Sequence, residues 1–536
     1  MRIDGALAIH AGIAGLAVVL RVVALGDKPM HSDESVHAFF AWILLQGEGY
    51  RYDPVFHGPL QIFLMATSFV LLGASDLSAR LVAALAGSAM TVLPYVLRRE
   101  LGNVGAVAVS ALLCVSPSYL YFSRFAREDI LFALLTLALI VVAFRFLERP
   151  RAWHPSLFLS LGALSLTTKE ATYITAAIAA SFLAIAAIFA IAGGRSEGAR
   201  LRDTWVVRSV RSLGARPWIW GALCFAIVFT LLFSTFFTNL GGLKAGLVDS
   251  WMYWLSQQPR NFGHQPWFYY VVLLVGYEWP IVLLGLVGAA VALRRGGLFC
   301  LFVVWSAALT LAAFSWASER MPWLVLHPLL PCILLAGIGV QALWDQRASR
   351  GARAVLAIAA ASIFYTVLSA AGLSFLRPAD ARELLVYTQT APDVLGVRDD
   401  ILALDRQDQI SGGTGLSVEI DRSQGENDPW LWYLRDLQRT DPRMADADYR
   451  PTAPVLIVSD ATRERLLPYL DRYTGRQFRI WVWWIPGSTQ PDWFIPRYLN
   501  GSVADWLRWL AFREPWSPLG GQDQWLYVRD DVPPLR

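Results

Sequence analysis

The stretch 30-MHSDESVHAFFAWILLQGEGYRYDPVFHGPLQIFLMATSFVLL-72 decides how the rest of the chain is read. It contains two apolar runs, 35–46 and 59–72. Each is well short of the roughly 20 residues a helix needs to cross a bilayer core. That length suits helices lying at a membrane surface. Counting either run alone as a span would invert every loop that follows. Charge arbitrates between the two readings. Runs long enough to span fall near 5–25, 78–97, 104–120, 130–147, 156–168, 171–193, 218–237, 267–292, 298–316, 323–343 and 354–375, about 11 in all. With 35–46 and 59–72 excluded, the loops on one side hold 17 arginines against six acids, net +11. Those on the other side, up to residue 376, hold ten basic residues against twelve acids (Glu278 among them), net −2. An excess of Lys and Arg marks the cytoplasmic side. The N-terminus is therefore expected inside and the 30–72 stretch outside.

Composition agrees with a membrane protein. Of 536 residues, 55% are hydrophobic and only 16% charged, where a soluble chain carries about 25% charged residues. The four cysteines lie inside apolar runs and read as buried hydrophobes, with no disulfide framework. The first run lacks a small-residue cleavage site and reads as a retained anchor. The arginines of 195–216 read as a topogenic, lipid-facing loop, and no nucleic-acid partner is implied. After residue 376 the chain turns polar, with strand-like runs at 384–389, 454–460, 477–484 and 524–530. The segment 454-PVLIVSDATRERLLPYLDRY-473 reads as strand, turn and amphipathic helix. The expected organisation is a transmembrane catalytic domain, 1–376, with juxtamembrane helices in its first outer loop. A C-terminal extracytoplasmic α/β domain, 377–536, follows it. The expected location is the cell (plasma) membrane, multi-pass.

The outer loops carry the chemistry. Five of seven histidines fall there: His31, His37, His57, His264 and His327. So do the acidic pairs Asp33–Glu34 and Glu128–Asp129. The chain has three lysines, Lys28, Lys169 and Lys244, so a lysine at a membrane edge stands out. Transfer of a sugar from a polyprenyl phosphate needs few parts. A carboxylate takes the proton of the attacking hydroxyl. Lysine or arginine offsets the charge of the departing phosphate. Aromatic faces hold sugar and isoprenoid. All of these residue types occur on the one side.

The motifs HSDESVHAFFAWILLQGEGYRYDPVFHGPLQ, FSRFAREDI, TTKEATY, HQPWFYY, ERMPWLVLHPLLP and RELLVYTQTAPDV resemble the GT-C glycosyltransferases of the protein O-mannosyltransferase type. Within these they resemble a bacterial and archaeal branch associated with flippase activity. The resemblance implies an inverting glycosyltransferase with a polyprenyl-phosphate sugar as donor, a protein, lipid or glycan as acceptor, and no required cofactor. By it, Asp33 is the base and Glu34 its orienting neighbour. Lys169 and Arg127 hold the lipid phosphate, and Glu128 and Asp129 support substrate binding. His57, His264, Trp267, Arg320, Trp323 and His327 belong to motifs on the same face.

Plainer readings exist for most of these residues. Ser32 or Asp33 would cap a helix beginning near Ser35. Glu128 and Asp129 would complement the dipole of the following span. Lys169 would be an interfacial lysine paired with Glu170. Trp267 and Trp323 would be belt residues. A divalent metal on His31, Asp33 and His37 is a weak alternative, since the spacing is not a clean ligand pattern. The rival functions are a flippase or transport component, which would need a polar path across the midplane, and a non-catalytic scaffold for lipid-linked oligosaccharides.

Overall fold

The structure is a computed structural model. It describes residues 5–193, 205–258, 265–425, 428–486, 498 and 500–532. The chain forms two compact units. The first comprises 1–25, 44–73 and 80–376; the second comprises 26–43, 74–79 and 377–536. The boundary thus falls inside the helices Ser32–Leu45 and Asp76–Met90 as well as at residue 377.

Among the described residues, nine helices are long and apolar enough to cross a membrane. Three shorter apolar helices, Leu60–Leu72, Asn103–Val115 and His154–Leu166, accompany them. The last two take the places of the expected spans 104–120 and 156–168. The first of these differs from expectation. Ser116 and Pro117 break it, because proline cannot continue the preceding helix, and a separate helix Pro117–Phe122 follows. The short runs of the opening stretch form the helices Ser32–Leu45 and Leu60–Leu72.

The helix Leu326–Asp345 lies at the centre of the first unit, and most of its residues are buried. Small residues let its neighbours come close, as in helix pairs generally. A Cβ on Gly288 of helix Tyr269–Arg295 would lie 1.8 Å from the Leu335 carbonyl oxygen. One on Gly105 of Asn103–Val115 would lie 2.7 Å from that of Gly337. Glu278, counted among the outer loops from sequence, instead lies buried inside the helix Tyr269–Arg295, at its one non-helical residue. Its Oε1 accepts from the Ser116 hydroxyl at 2.8 Å and the Ser118 N–H at 2.9 Å, which ties down the broken Ser116–Pro117 junction.

The second unit carries a six-stranded sheet: β1 (Gln389–Thr390), β2 (Ser417–Ile420), β3 (Gln438–Thr440), β4 (Val455–Ser459), β5 (Tyr473–Trp483) and β6 (Gly520–Arg529). The strand order is β1-β5-β6-β4-β2-β3. β2 pairs in parallel with β3 and β4, and the other pairings are antiparallel. β4 is buried along its whole length, and it is the strand most plainly written in the sequence, VLIVS. The expected strand at 384–389 shrinks to β1, while β2, β3 and the helix Asp393–Ile410 lacked a sequence signal strong enough to be singled out.

Candidate functional site

Within the first unit, the loop 123-SRFARED-129 joins the helix Pro117–Phe122 to Asp129–Glu148. Its anchor is Arg124. The guanidinium donates to the carbonyls of Leu20, Arg21, Val23 and Ala24 at 2.6–3.2 Å, capping the end of the first helix. The next three charged residues meet Lys169. Its ammonium donates to Glu128 Oε1 at 3.0 Å and Asp129 Oδ1 at 2.7 Å. Arg127 donates to Glu128 Oε1 at 3.0 Å, and its Nε lies 3.5 Å from Asp129 Oδ2. Its guanidinium also lies 4.2 Å over the Trp323 ring. His327 Nε2 lies 3.4 Å from Asp129 Oδ1, with the ring between Phe132 and Phe314.

The loop after the helix Ser32–Leu45 completes this network. Asp53 caps the turn Pro54–Phe56 through the Val55 N–H. The chain then joins 167–168: Gly58 N–H donates to the Thr168 carbonyl (3.1 Å) and Leu60 N–H to that of Thr167 (2.9 Å). A Cβ on Gly58 would lie 2.1 Å from the Thr167 oxygen, so only glycine permits this approach. His57 is thereby held at φ 61°, ψ −164°, a region otherwise nearly confined to glycine. Its Nδ1 lies 2.9 Å from Glu170 Oε2 and its Nε2 lies 3.4 Å from Glu128 Oε1. Tyr52 donates to the other oxygen of Glu170 at 3.3 Å.

Burial and the Lys169 ammonium act to lower the His57 pKa, but Glu128 and Glu170 outweigh them and raise it to about 9. His57 is therefore an imidazolium at neutral pH. Burial acts the same way on Lys169 and Arg127, and the carboxylates of Glu128 and Asp129 again prevail, holding both above their ordinary values. The network then carries three cations, Arg127, Lys169 and His57, against three carboxylates, Glu128, Asp129 and Glu170.

The structure thus joins Arg127, Glu128, Asp129, Lys169, His57, His327 and Trp323. It leaves others apart. Arg320 donates to the carbonyls of Ser315 and Gln265, holding main chain. Trp267 is 68% exposed. His264 lies outside the described residues, as do Arg195, Arg200 and Arg202 of the arginine-rich loop. Lys169 pairs with Glu128 and Asp129, while its neighbour Glu170 turns to His57 and Tyr52. Glu170 and Tyr52 were not singled out from sequence, although both lie in the motifs TTKEATY and GYRYDPVFHGP that held the residues that were.

Asp33 and Glu34 belong to the second unit. The helix begins at Ser32, earlier than expected, and His31 caps it. Asp33 N–H donates to His31 Nδ1 at 3.1 Å. Glu34, fully buried, reaches back to accept the His31 N–H at 2.9 Å. This is a variant of the capping box, with histidine in the usual Ser or Thr place and its ring accepting the N2 rather than the N3 N–H. Because Nδ1 accepts, the ring carries its proton on Nε2, which donates to the Tyr387 carbonyl at 2.9 Å. Both ring nitrogens are thus engaged by main chain. Among the described residues, no three His, Cys, Asp or Glu side chains gather as metal ligands would. Glu34 also lies 3.5 Å from the Lys28 ammonium. Asp33 is half-buried in the first turn.

Beside the ion network the first unit holds a cavity of about 410 Å³. Its lining runs from Phe132 and His327 to Phe146, Leu147 and His154. Along the helix Asp129–Glu148 that is about 22 Å at 1.5 Å per residue. The lining is aliphatic and aromatic, with a few hydroxyls and two histidines, and it includes no carboxylate, lysine or arginine.

A mostly helical membrane unit of this kind, followed by a C-terminal sheet region, is the GT-C fold, and the chain is a multi-pass membrane protein. Residues 56–192 match the family model of dolichyl-phosphate-mannose-protein mannosyltransferases. That segment contains His57, Arg127, Glu128, Asp129, Lys169 and Glu170. Among solved structures, the chain is similar to ArnT from Cupriavidus metallidurans in the apo state, with TM-score 0.57 and 15% identity, covering 88% of this chain and 95% of that one. The same protein bound to undecaprenyl phosphate gives TM-score 0.58 and 14% identity over the same shares. The archaeal oligosaccharyltransferase AglB from Archaeoglobus fulgidus, in complex with an inhibitory peptide and a dolichol-phosphate, gives TM-score 0.54 and 13% identity, covering 82% of this chain and 64% of that one. No curated protein sequence matches the chain.

Proposed function

We propose that this protein is a membrane glycosyltransferase that moves a sugar, of the mannose type by family resemblance, from a polyprenyl phosphate to an acceptor hydroxyl. The observation that carries the reading is the Arg127–Glu128–Asp129–Lys169 network bordering a long apolar cavity within one unit. The cavity offers an isoprenoid chain an apolar lining, and the cations offer its phosphate positive charge. The family match over 56–192 and the undecaprenyl phosphate held by one ArnT structure support the same donor class. The lack of charged groups along the cavity disfavours passage of a polar headgroup, which weighs against the flippase reading. In the proposed reaction Asp33 takes the acceptor proton as that oxygen attacks the anomeric carbon. The bond from that carbon to the phosphate oxygen breaks, and polyprenyl phosphate leaves as an anion balanced by Lys169 and Arg127. One displacement inverts the anomeric centre, and the phosphate needs no acid to leave. The positive-inside count supports an outer-face location for this chemistry and for the C-terminal domain. The acceptor is a protein, lipid or glycan hydroxyl.

Transfer from a labelled polyprenyl-phosphate sugar by the protein in lipid nanodiscs tests the assignment. Asp33→Asn is expected to lower the rate by about a thousandfold while leaving polyprenyl phosphate binding intact. Near-normal transfer by that variant would remove Asp33 from the mechanism.

A further inference from the structure

A second, small pocket borders the same network, and its lining includes His57, Lys169, Glu170, Trp254, Gln257 and Glu319. His327 lines the apolar cavity, whereas His57 and Lys169 line this pocket, and Asp129 and Glu128 pair with Lys169. The network therefore borders two spaces, an apolar cavity and a small pocket with polar groups in its lining.

Three features of the pocket point to a ligand. First, its size is about 30 Å³, room for two or three water-sized groups at about 10–15 Å³ each. That holds the hydroxyl edge of a sugar ring, and excludes the ring itself. Second, Gln257 is 93% buried, yet its Oε1 has no hydrogen-bond partner among the described residues. Its Nε2 is spent on the Ser256 hydroxyl at 3.2 Å, so the amide presents an acceptor. A buried acceptor left without a donor is costly, and a ligand hydroxyl would relieve it. Third, the half-buried Glu319 makes no hydrogen bond to a described residue, and its charge acts on both Lys169 and Arg127. The wall is built to stay in place, since the Ser318 hydroxyl donates to Gln258 Oε1 at 3.2 Å. Trp254 adds an apolar face of the kind that packs on sugar C–H groups.

We infer that this pocket reads the hydroxyl edge of the transferred sugar, with Gln257 Oε1 and Glu319 accepting from two of its hydroxyls. The inference rests on the glycosyltransferase reading above and deepens it. The phosphate lies at the network, the isoprenoid in the apolar cavity and the sugar edge in the small pocket. Gln257 and Glu319 are then the residues that choose among sugars. A site that accepts from a substrate hydroxyl rejects the analogue lacking it by far more than an apolar pocket rejects a missing methylene.

The test compares two kinds of ligand on the full-length protein in nanodiscs. One is polyprenyl phosphate alone; the other is a panel of polyprenyl phosphates bearing mannose, glucose, galactose or an N-acetylhexosamine. In Gln257→Leu and Glu319→Gln, affinity for polyprenyl phosphate is expected to stay within about twofold of wild type. Affinity for the preferred sugar-bearing lipid is expected to fall by at least about tenfold, and the ranking of the panel to flatten. Equal weakening of both ligand kinds would overturn the inference, because the residues would then act only through the network. So would no change in either. Should Gln257→Leu fail to fold, the near-isosteric Glu319→Gln carries the test alone. Failure of the underlying reading looks different: the wild-type protein would bind polyprenyl phosphate but no sugar-bearing member of the panel, which would overturn both.

Discussion

The two acidic pairs of this chain look interchangeable in sequence, and the fold uses them in opposite ways. Asp33–Glu34 stands in the first turn of a helix, where Glu34 accepts a main-chain N–H and also faces the Lys28 ammonium. The Asp33 N–H goes to His31, and the Glu34 carboxylate takes the His31 N–H. Glu128–Asp129 also stands at a helix start, but its oxygens go to the side-chain cations Lys169, Arg127 and His57, with the His327 ring beside Asp129. The first pair closes a helix terminus. The second keeps an imidazolium and an ammonium charged in a buried place. A carboxylate at a helix start is therefore weak evidence of role by itself; the partners it recruits from distant loops decide it.

That contrast breaks most sharply at Lys169. Lys169→Met would leave Glu128 and Asp129 buried without their shared cation, a loss of about 3–5 kcal/mol in comparable buried pairs. Thermal unfolding in detergent, followed alongside polyprenyl phosphate binding, measures both consequences. The double variant Lys169→Met with Asp129→Asn should regain part of the stability and none of the binding. Recovery of binding would mean that the lysine serves the fold alone. Gly58→Ala comes next. Its new Cβ would meet a backbone oxygen that cannot yield as a side chain would, so the 57–60 loop must part from 167–168. The expected cost is about 1–3 kcal/mol, together with loss of the imidazolium from the network, seen as a change in the pH dependence of transfer.

His57 tests the electrostatic half of the contrast. Its folded pKa of about 9 lies above the ordinary 6.5. The stability contributed by the protonated ring is therefore fully present below about pH 6.5 and is lost as pH rises through about 9. Glu170→Gln removes one of the two carboxylates that raise it, so the alkaline limb of the stability profile should move toward neutral pH. A limb that stays near pH 9 in this variant would assign it to another group.

Much of this was legible in the sequence, for reasons that can be named. Spans are written in composition, since about 20 apolar residues have few other uses. The short runs 35–46 and 59–72 were legible from length alone. Arg127, Glu128, Asp129, Lys169 and His57 could be grouped from sequence because they flank the ends of apolar runs. Pairings were not legible: nothing in 166-LTTKEAT-172 says that Lys169 reaches back 40 residues while Glu170 turns to His57, because those partners are set by how helices pack. Glu278 misled the charge count, since a carboxyl can be buried wherever two donors await it, here Ser116 Oγ–H and Ser118 N–H. Gln257 stands in none of the quoted motifs, and Glu319, which opens ERMPWLVLHPLLP, carried no assigned role there; only the fold brings them to one pocket.

The smallest expected effect on transfer lies at Glu34, and it sharpens the opening contrast more than its size suggests. Glu34→Gln keeps an oxygen that can accept the His31 N–H, so the capping box survives in outline, while the charge opposite Lys28 disappears. Losses of helix caps cost about 0.5–2 kcal/mol; this substitution keeps the acceptor, so its stability cost comes mainly from removing the charge that faces the buried Lys28 ammonium. Transfer should fall less than tenfold, because the change reaches Asp33 only through the turn they share. Glu34→Ala removes the acceptor as well, leaves the His31 N–H without it, and should cost more in stability than Glu34→Gln. If Glu34→Gln instead lost as much transfer as Asp33→Asn with stability intact, Glu34 would belong to the chemistry. The first acidic pair would then resemble the second after all, with both carboxylates placed for substrate.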